Sequence, residues 1–325
     1  EREWCFEILN AETIAYSDSW SNILGSLVAN SMEELKNIDS NYTLYLANTI
    51  TAFLEKYNIE YIDAICSHGH TALHQPENGL TYQIGNLPVI SKYLNEKVIC
   101  DFRVQDVELG GQGAPLVPIG DKLLFSKYDY CINLGGFANI SMTVNDLRIA
   151  YDICPVNIVL NYYARKLGLN YDDGGEIASK GVLNKDLLEA LNSLDFYKES
   201  YPKSLGLEWV NRHVFTLIED FELNIKDVLR TFTEHVAIQI ANQIISNSKA
   251  SVLIAGGGVY NTFLIDRVKI HSNCLIVIPS HDVVEFKEAL IFGFLGVLKL
   301  QGEINCLKSV TGASKNHSSG RIFLP

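Results

Sequence analysis

The stretch CINLGGFANISMTVNDLRIAYDICP, residues 131–155, decides how the chain is read. CINLG has the composition of a strand, Gly135-Gly136 makes a tight turn, and ANISMTV is a second strand. Asn145-Asp146 turns the chain again into LRIAYDI, after which Pro155 suits the first turn of a helix. A three-strand meander feeding a helix is the expectation. Downstream, SVLIA (251–255) ends in Gly256-Gly257-Gly258, and a helix follows to about Ile270. The strand CLIVIPS (274–280) and an apolar helix from about Val283 to Leu300 complete a set of parallel strand-helix units, an α/β signature.

The first part of the chain follows the same order with different residues. Strands are expected around WCFEIL (4–9) and ETIAYS (12–17), and helices from Ser17 to Tyr57, with Ser31 and Glu34 forming a capping box. Strand IDAIC (62–66), a loop from Ser67, a helix near Val89 and strand KVICD (97–101) come next. The second unit opens with three strands and the first with two, so an opening strand and its turn are expected upstream of Glu1. Two domains are drawn from this: residues 1–122, joined by the tail 306–325, and residues 123–305. The helix from Asp227 to about Asn247, apolar at Val228, Leu229, Phe232, Val236, Ile240 and Ile244, reads as core.

The length of 325 residues agrees with two domains at roughly 150 residues each. A content of 47% hydrophobic and 20% charged residues, with 8 Pro against 23 Gly, describes a packed globule rather than a disordered chain. Setting 26 Lys and Arg against 38 Asp and Glu gives −12, a field that repels nucleic-acid backbones and anionic membranes, so neither is expected as a partner. The uncharged run Ala289 to Leu298 is well short of the roughly 20 residues a membrane span needs, and no signal-peptide pattern is read at the start. Seven cysteines, at 5, 66, 100, 131, 154, 274 and 306, form no Cys-x-x-Cys pair. They read as reduced, mostly core thiols, and a cytoplasmic location is expected.

Several groups are suited to chemistry. The turn at Gly135-Gly136 brings backbone N–H groups within reach of an anion, although a plain hairpin turn explains it equally well. Three glycines between a strand and a helix, at 256–258, suit close approach of a nucleotide; neither cluster is a Walker A loop or a complete Gly-x-Gly-x-x-Gly. Asp152 ends its strand at the carboxyl edge, as a ligand carboxylate or as a helix cap. Glu288 lies in an apolar helix and is expected to be partly buried, because Asp282 with Glu285 looks like that helix's cap. His68, His70 and His74 invite a zinc reading, but hydrogen bonding to a polar ligand is preferred. Arg103 is placed to pair with a substrate carboxylate, or with Asp101 or Asp106. Gly110 to Pro115 reads as a mobile, hinge-like crossing.

These residues together resemble the anhydro-N-acetylmuramic acid kinases, members of the actin-like ATPase and sugar-kinase superfamily. The matching motifs are SHGHTALHQP (67–76), TYQIGN (81–86), DFRVQDVELGGQGAPLVP (101–118), NLGGFANIS (133–141), YDICPVN (151–157), PKSLGLEW (202–209), LIAGGGVYN (253–261) and EALIFGFL (288–295). The resemblance implies two ribonuclease-H-like α/β domains with an interdomain cleft. It implies ATP-dependent phosphorylation of O6 coupled to hydrolysis of the 1,6-anhydro bond, giving N-acetylmuramic acid 6-phosphate in peptidoglycan recycling. Asp152 matches the catalytic aspartate that activates water. Glu288, Arg103, His68 and Thr71 match the sugar-binding side, with Arg103 toward the lactyl carboxylate. Gly135, Gly136, Asn139, Gly256, Gly257, Gly258 and Asn261 match phosphate and adenosine binding, with ATP and Mg²⁺ as cofactors and a homodimer as the assembly.

The chain departs from the family pattern in two places. Ile153-Cys154-Pro155 stands where a Gly-Pro pair often follows the aspartate, and the family's opening Ser-Gly-Thr-Ser-Leu-Asp-Gly phosphate loop is expected upstream of Glu1. A muropeptide or nucleotide sensor that has lost this loop is the alternative from a different class of function.

Overall fold

A computed structural model describes residues 3–244 and 250–325. The chain divides into two units, Glu1–Gly120 with Glu288–Pro325, and Asp121–Lys287. In chain order the strands are β1 (Ile65–Cys66), β2 (His70–Gln75), β3 (Leu80–Ile84), β4 (Val98–Cys100), β5 (Tyr130–Leu134), β6 (Phe137–Val144), β7 (Leu147–Pro155), β8 (Ser251–Ala255), β9 (Leu275–Val277) and β10 (Arg321–Phe323). The helix from Glu288 onward therefore falls with the first unit rather than the second, where residues 123–305 would have put it.

The second unit carries a five-stranded sheet in the order β7-β6-β5-β8-β9. Strand β6 is antiparallel to both of its neighbours, whereas β5, β8 and β9 run parallel. Numbered within the sheet this is 3-2-1-4-5, the ribonuclease-H-like order, and the fold is α/β. Local chemistry explains the first half: Asn145 and Asp146 both adopt positive φ, 48° and 64°, as a two-residue hairpin turn of the right twist demands. The parallel half needs long helical crossovers. The helix Ile225–Gln243 supplies one of them, burying Val228, Leu229, Phe232, Val236 and Ile240 in the same core as Ile132, Ile140 and Ile153. Its expected extension to Asn247 lies outside the described residues.

Pro155 does not open a helix. It is the last residue of β7, and the helix is Asn157–Arg165. The backbone N–H groups of Val156 and Ile158 donate to the Gly136 carbonyl and that of Asn157 to the Gly135 carbonyl, so the glycine turn starts this helix.

In the first unit β4 lies between β1, parallel to it, and β10, antiparallel to it. The tail is thus laid onto the sheet edge. WCFEIL and ETIAYS form no strand and belong to none of the described sheets; strand composition alone does not make a strand, which also needs a ladder to satisfy its backbone. The loop expected from Ser67 ends early, since HTALHQ pairs with LTYQI as the hairpin β2–β3. The helices Asp18–Gly25 and Met32–Lys56 match expectation, and the Ser31–Glu34 capping box is formed. Asp39, 1% exposed, accepts hydrogen bonds from Thr43, from the Tyr82 hydroxyl (2.7 Å) and from the Gly85 amide (2.7 Å), which ties the long helix to the hairpin.

Gly110 to Pro115 does not cross between the units but lies inside the first, with its backbone tied down. The amide of Gly111 donates to the Asp106 carbonyl, that of Gln112 to the Thr311 carbonyl, and that of Gly113 to the Asp106 carboxylate. A Cβ on Gly111 would run into that same carboxylate, so only glycine permits so close an approach. All seven cysteines are free thiols; Cys100, Cys131, Cys154 and Cys306 are buried and Cys5 is exposed. Among the described residues no helix is long and apolar enough to cross a membrane.

Candidate functional site

Asp152 stands on β7 in cross-strand register with Asn139 of β6, which in turn faces Asn133 of β5. Residues directly opposite share a face of the sheet, so the meander lines up two amides and a carboxylate near the carboxyl ends of β5 and β7. The backbone of Asp152 donates to the Lys203 carbonyl (3.1 Å), and its Oδ2 accepts from the Leu205 amide (2.8 Å). Burial raises its pKa, and the Leu205 hydrogen bond partly opposes that rise. It caps no helix, since Val156 holds the cap position of Asn157–Arg165. The loop that supplies Leu205 is anchored by Lys203, whose Nζ donates to the Phe196 carbonyl (3.1 Å) and lies over the Phe196 ring. Ile153 and Cys154, in place of the family's Gly-Pro, continue the strand, and both are fully buried.

Next to this row the chain leaves β8, whose Ala255 is paired with Asn133. Gly256 adopts φ +85°, and a Cβ there would stand 2.6 Å from Asn133 Oδ1 and 2.9 Å from the Leu134 carbonyl. Gly258 packs as closely on Leu134, whereas Gly257 faces open space. The turn is a cradle wedged against the end of β5 with one face left free for a ligand. Gly135 and Gly136 spend their carbonyls on the helix Asn157–Arg165, and the Asn261 Oδ1 accepts from the Leu264 amide (2.9 Å) as cap of the helix Thr262–His271.

In the first unit Arg103 and His68 form the second cluster. The guanidinium donates through Nε (3.2 Å) and Nη2 (2.8 Å) to His68 Nε2, and through Nη1 to the Gly113 carbonyl (2.7 Å). His68 Nδ1 in turn donates to the Gly69 carbonyl (2.9 Å), and the ring stands edge-on to Phe292. Burial, and then the Arg103 charge, lowers the His68 pKa; burial also lowers that of Arg103, against the pull of Glu288. The ring is a neutral acceptor that orients the arginine, and part of the guanidinium fork stays available to an anion. Asp101 is engaged with Arg321 instead, and Asp106 with the loop already described.

Glu288 is exposed rather than partly buried. On the helix His281–Leu300 it shares a water-facing stripe with Glu285 and Ala289, and the apolar residues that suggested burial cover the other side. The expected cap is also displaced: the helix begins at His281, and Glu285 accepts from the Tyr260 hydroxyl. Thr71 is exposed on β2. His70 packs on Tyr42 and His74 bonds to Thr81, so the three imidazoles of this segment face different partners.

Lys287 was missed by sequence reading. It is 6% exposed and pairs with Asp121 (2.7 Å), which also accepts from Ser141 (2.5 Å). A lysine between Phe286 and Glu288 gave no signal of burial. Asn133 and Leu205 were missed as well: Asn133 was visible within its motif, whereas a backbone amide leaves no mark in composition.

A family model described as Anhydro-N-acetylmuramic acid kinase matches residues 18–325. A relative from Sulfurovum sp. (strain NBC37-1) with that name is 31% identical over 306 residues, 90% of this chain and 84% of its own. Another so named, from Aliivibrio fischeri, is 33% identical over 303 residues, 89% and 81% of the respective chains. Among solved structures, the activator of the 2-hydroxyisocaproyl-CoA dehydratase from Clostridium difficile, with bound ADPNP, aligns at 14% identity and a TM-score of 0.35 over 59% of this chain and 64% of that one. With sequence agreement running along nearly its whole length, the chain belongs to the anhydro-N-acetylmuramic acid kinase family, a family of phosphotransferases.

Proposed function

We propose that the protein opens the 1,6-anhydro ring of anhydro-N-acetylmuramic acid with water and transfers the γ-phosphoryl group of ATP to the released O6. The observation that carries this reading is Asp152, a carboxylate held by the Leu205 amide in register with Asn139 and Asn133, beside the Gly256–Gly258 turn. In the proposed step the Asp152 carboxylate takes a proton from water as its oxygen bonds to the anomeric carbon. The bond from that carbon to O6 breaks, O6 attacks the γ-phosphorus, the bond to the β-phosphate oxygen breaks, and ADP leaves. The products are N-acetylmuramic acid 6-phosphate and ADP.

The Gly256–Gly258 turn suits the nucleotide because a Cβ at Gly256 would fill the space against Asn133 and because Gly257 is open. Asn133, Asn139 and Asp152 offer hard oxygen donors of the kind Mg²⁺ takes alongside phosphate and water; when bound, the ion supplies positive charge to the phosphate oxygens. Arg103 holds the lactyl carboxylate, with His68 fixing its orientation, and Glu288 and Thr71 meet sugar hydroxyls. The place of the reaction is peptidoglycan recycling in the cytoplasm, and the assembly is a homodimer, which sedimentation would test.

Incubating the full-length protein with the anhydro sugar and ATP tests the reading, with mass spectrometry of the sugar product in ¹⁸O water. One ¹⁸O at the anomeric position together with a 6-phosphate is expected. A phosphorylated sugar that keeps its anhydro ring would refute the coupled step.

A further inference from the structure

The C-terminal tail of the first unit buries three side chains of metal-binding type around one point. Asp106 is 0% exposed, Cys306 1% and His317 5%. One ligand atom from each lies within 4.8 Å of the other two. Cys306 Sγ is 3.0 Å and His317 Nε2 is 3.6 Å from the same oxygen, Asp106 Oδ1. Tetrahedral zinc with Zn–O and Zn–N near 2.0 Å and Zn–S near 2.3 Å separates neighbouring ligand atoms by about 3.3–3.6 Å. A few tenths of an ångström of side-chain adjustment would therefore admit the ion.

Two further observations point to a cation. His317 Nδ1 bonds to the Lys315 carbonyl (3.2 Å), which leaves Nε2 aimed at the carboxylate; this buried nitrogen has no hydrogen-bond partner. A histidine whose far nitrogen is fixed by a carbonyl is the usual arrangement behind a metal ligand. The ligands are also preset by the backbone. Cys306 and His317 face each other across an antiparallel bridge, with N–H···O distances of 3.1 and 3.2 Å in the two directions. Asp106 is oriented by the Gly113 amide on Oδ2 (2.7 Å) and by the Thr311 hydroxyl on Oδ1 (2.8 Å).

We infer that Asp106, Cys306 and His317 form a structural Zn²⁺ site that staples the C-terminal tail to the loop Gly110–Pro115, with Thr311 or a water completing the tetrahedron. One thiolate, one imidazole and one carboxylate form a donor set that suits zinc and is too soft for Mg²⁺ or Ca²⁺. Zn²⁺ replaces the Cys306 thiol proton, which passes to solvent, and no electron is transferred. The site is independent of Asp152 and of the proposed reaction.

The full-length protein, stripped with a chelator and dialysed, would be titrated with Zn²⁺ against a chromophoric chelator, and with Co²⁺ while recording its absorption spectrum. The expected result is stoichiometric Zn²⁺ uptake, a thiolate-to-cobalt charge-transfer band in the near ultraviolet, and a Zn²⁺-dependent rise in Tm of several degrees. Cys306→Ser keeps the hydrogen bond to Asp106, so it should fold; it should lose the charge-transfer band and the Tm response together. His317→Gln should lose stoichiometric uptake. A wild-type protein with no charge-transfer band, or with Zn²⁺ uptake unchanged in both variants, would overturn the site and leave a knot of hydrogen bonds.

Discussion

Asp152 and Arg103 are held in opposite ways. The aspartate stands on a strand, its place set by cross-strand register and by backbone hydrogen bonds at Lys203 and Leu205. The arginine follows the short strand β4 and is held by its own side chain, which binds the His68 ring and the Gly113 carbonyl. One residue is positioned by the fold, and the other is part of what positions its surroundings. An isosteric change at the first should therefore separate chemistry from stability, whereas a conservative change at the second should not.

The largest effect is expected from Asp152→Asn. The amide keeps the shape and can still accept from Leu205, but it cannot take a proton from water, so kcat should fall by about 10³–10⁴-fold with Tm unchanged. Because burial raises the Asp152 pKa, the active ionised form is lost at a higher pH than for an ordinary aspartate, and the rate should decline as pH falls through that raised value. A variant that loses Tm along with kcat would break the contrast with Arg103.

Next in size is Glu234, which tests the same idea away from the chemistry. Burial alone would raise its pKa, but hydrogen bonds from Arg267, His271 and Arg230 bring it from the ordinary 4.5 down to about 2. A depressed folded pKa gives stability that is present above about pH 4.5 and is lost as pH falls toward about 2. Glu234→Gln should cost about 3 kcal/mol at neutral pH. It should also flatten this acid limb in denaturant titrations; an unchanged limb would assign acid sensitivity to other groups.

Arg103→Lys comes third. Lysine keeps the charge but cannot span His68 and Gly113 at once, so kcat/KM should fall by about 10²-fold, mostly through KM for the sugar, with a drop in Tm. A change confined to kcat would place Arg103 at the reacting atoms instead of at the substrate's carboxylate.

The same contrast explains what the sequence disclosed. The meander from Cys131 to Pro155 was legible because hairpin turns and period-2 strands are local, and the register that aligns Asn133, Asn139 and Asp152 follows from turn length. The hairpin β2–β3 was not legible, because its first strand looks like a histidine-rich loop until its partner is known. WCFEIL shows the reverse error, with strand composition but no strand formed. The motifs around Arg103 and His68 identified the family, yet the direct hydrogen bonds between the two residues join segments 35 positions apart and left no local signal. Burial was expected at Glu288 and found at Lys287, which sequence reading passed over, because helix composition does not say which face turns inward.

The smallest expected effect lies in the part of the first unit that was most local. Ser31 Oγ accepts from the Glu34 amide (3.3 Å), and Glu34 Oε2 accepts from the Ser31 amide (2.8 Å) and hydroxyl (2.7 Å). These hydrogen bonds hold the Glu34 pKa below its usual range. Ser31→Ala removes one half of the box at an exposed helix end and should cost about 1 kcal/mol, a fall in Tm of roughly 2–4 °C. That helix also carries Asp39, which holds the Gly85 amide and Tyr82 two turns further on. Fraying of the first turn should stop before Asp39, because the carboxylate there is fixed from outside the helix as well as within it. Hydrogen exchange should accordingly rise at residues 32–36 and stay unchanged at residues 82–85. Faster exchange at both would show that the hairpin bearing His70 and Thr71 depends on the helix cap, making the first unit more cooperative than its separate anchors imply.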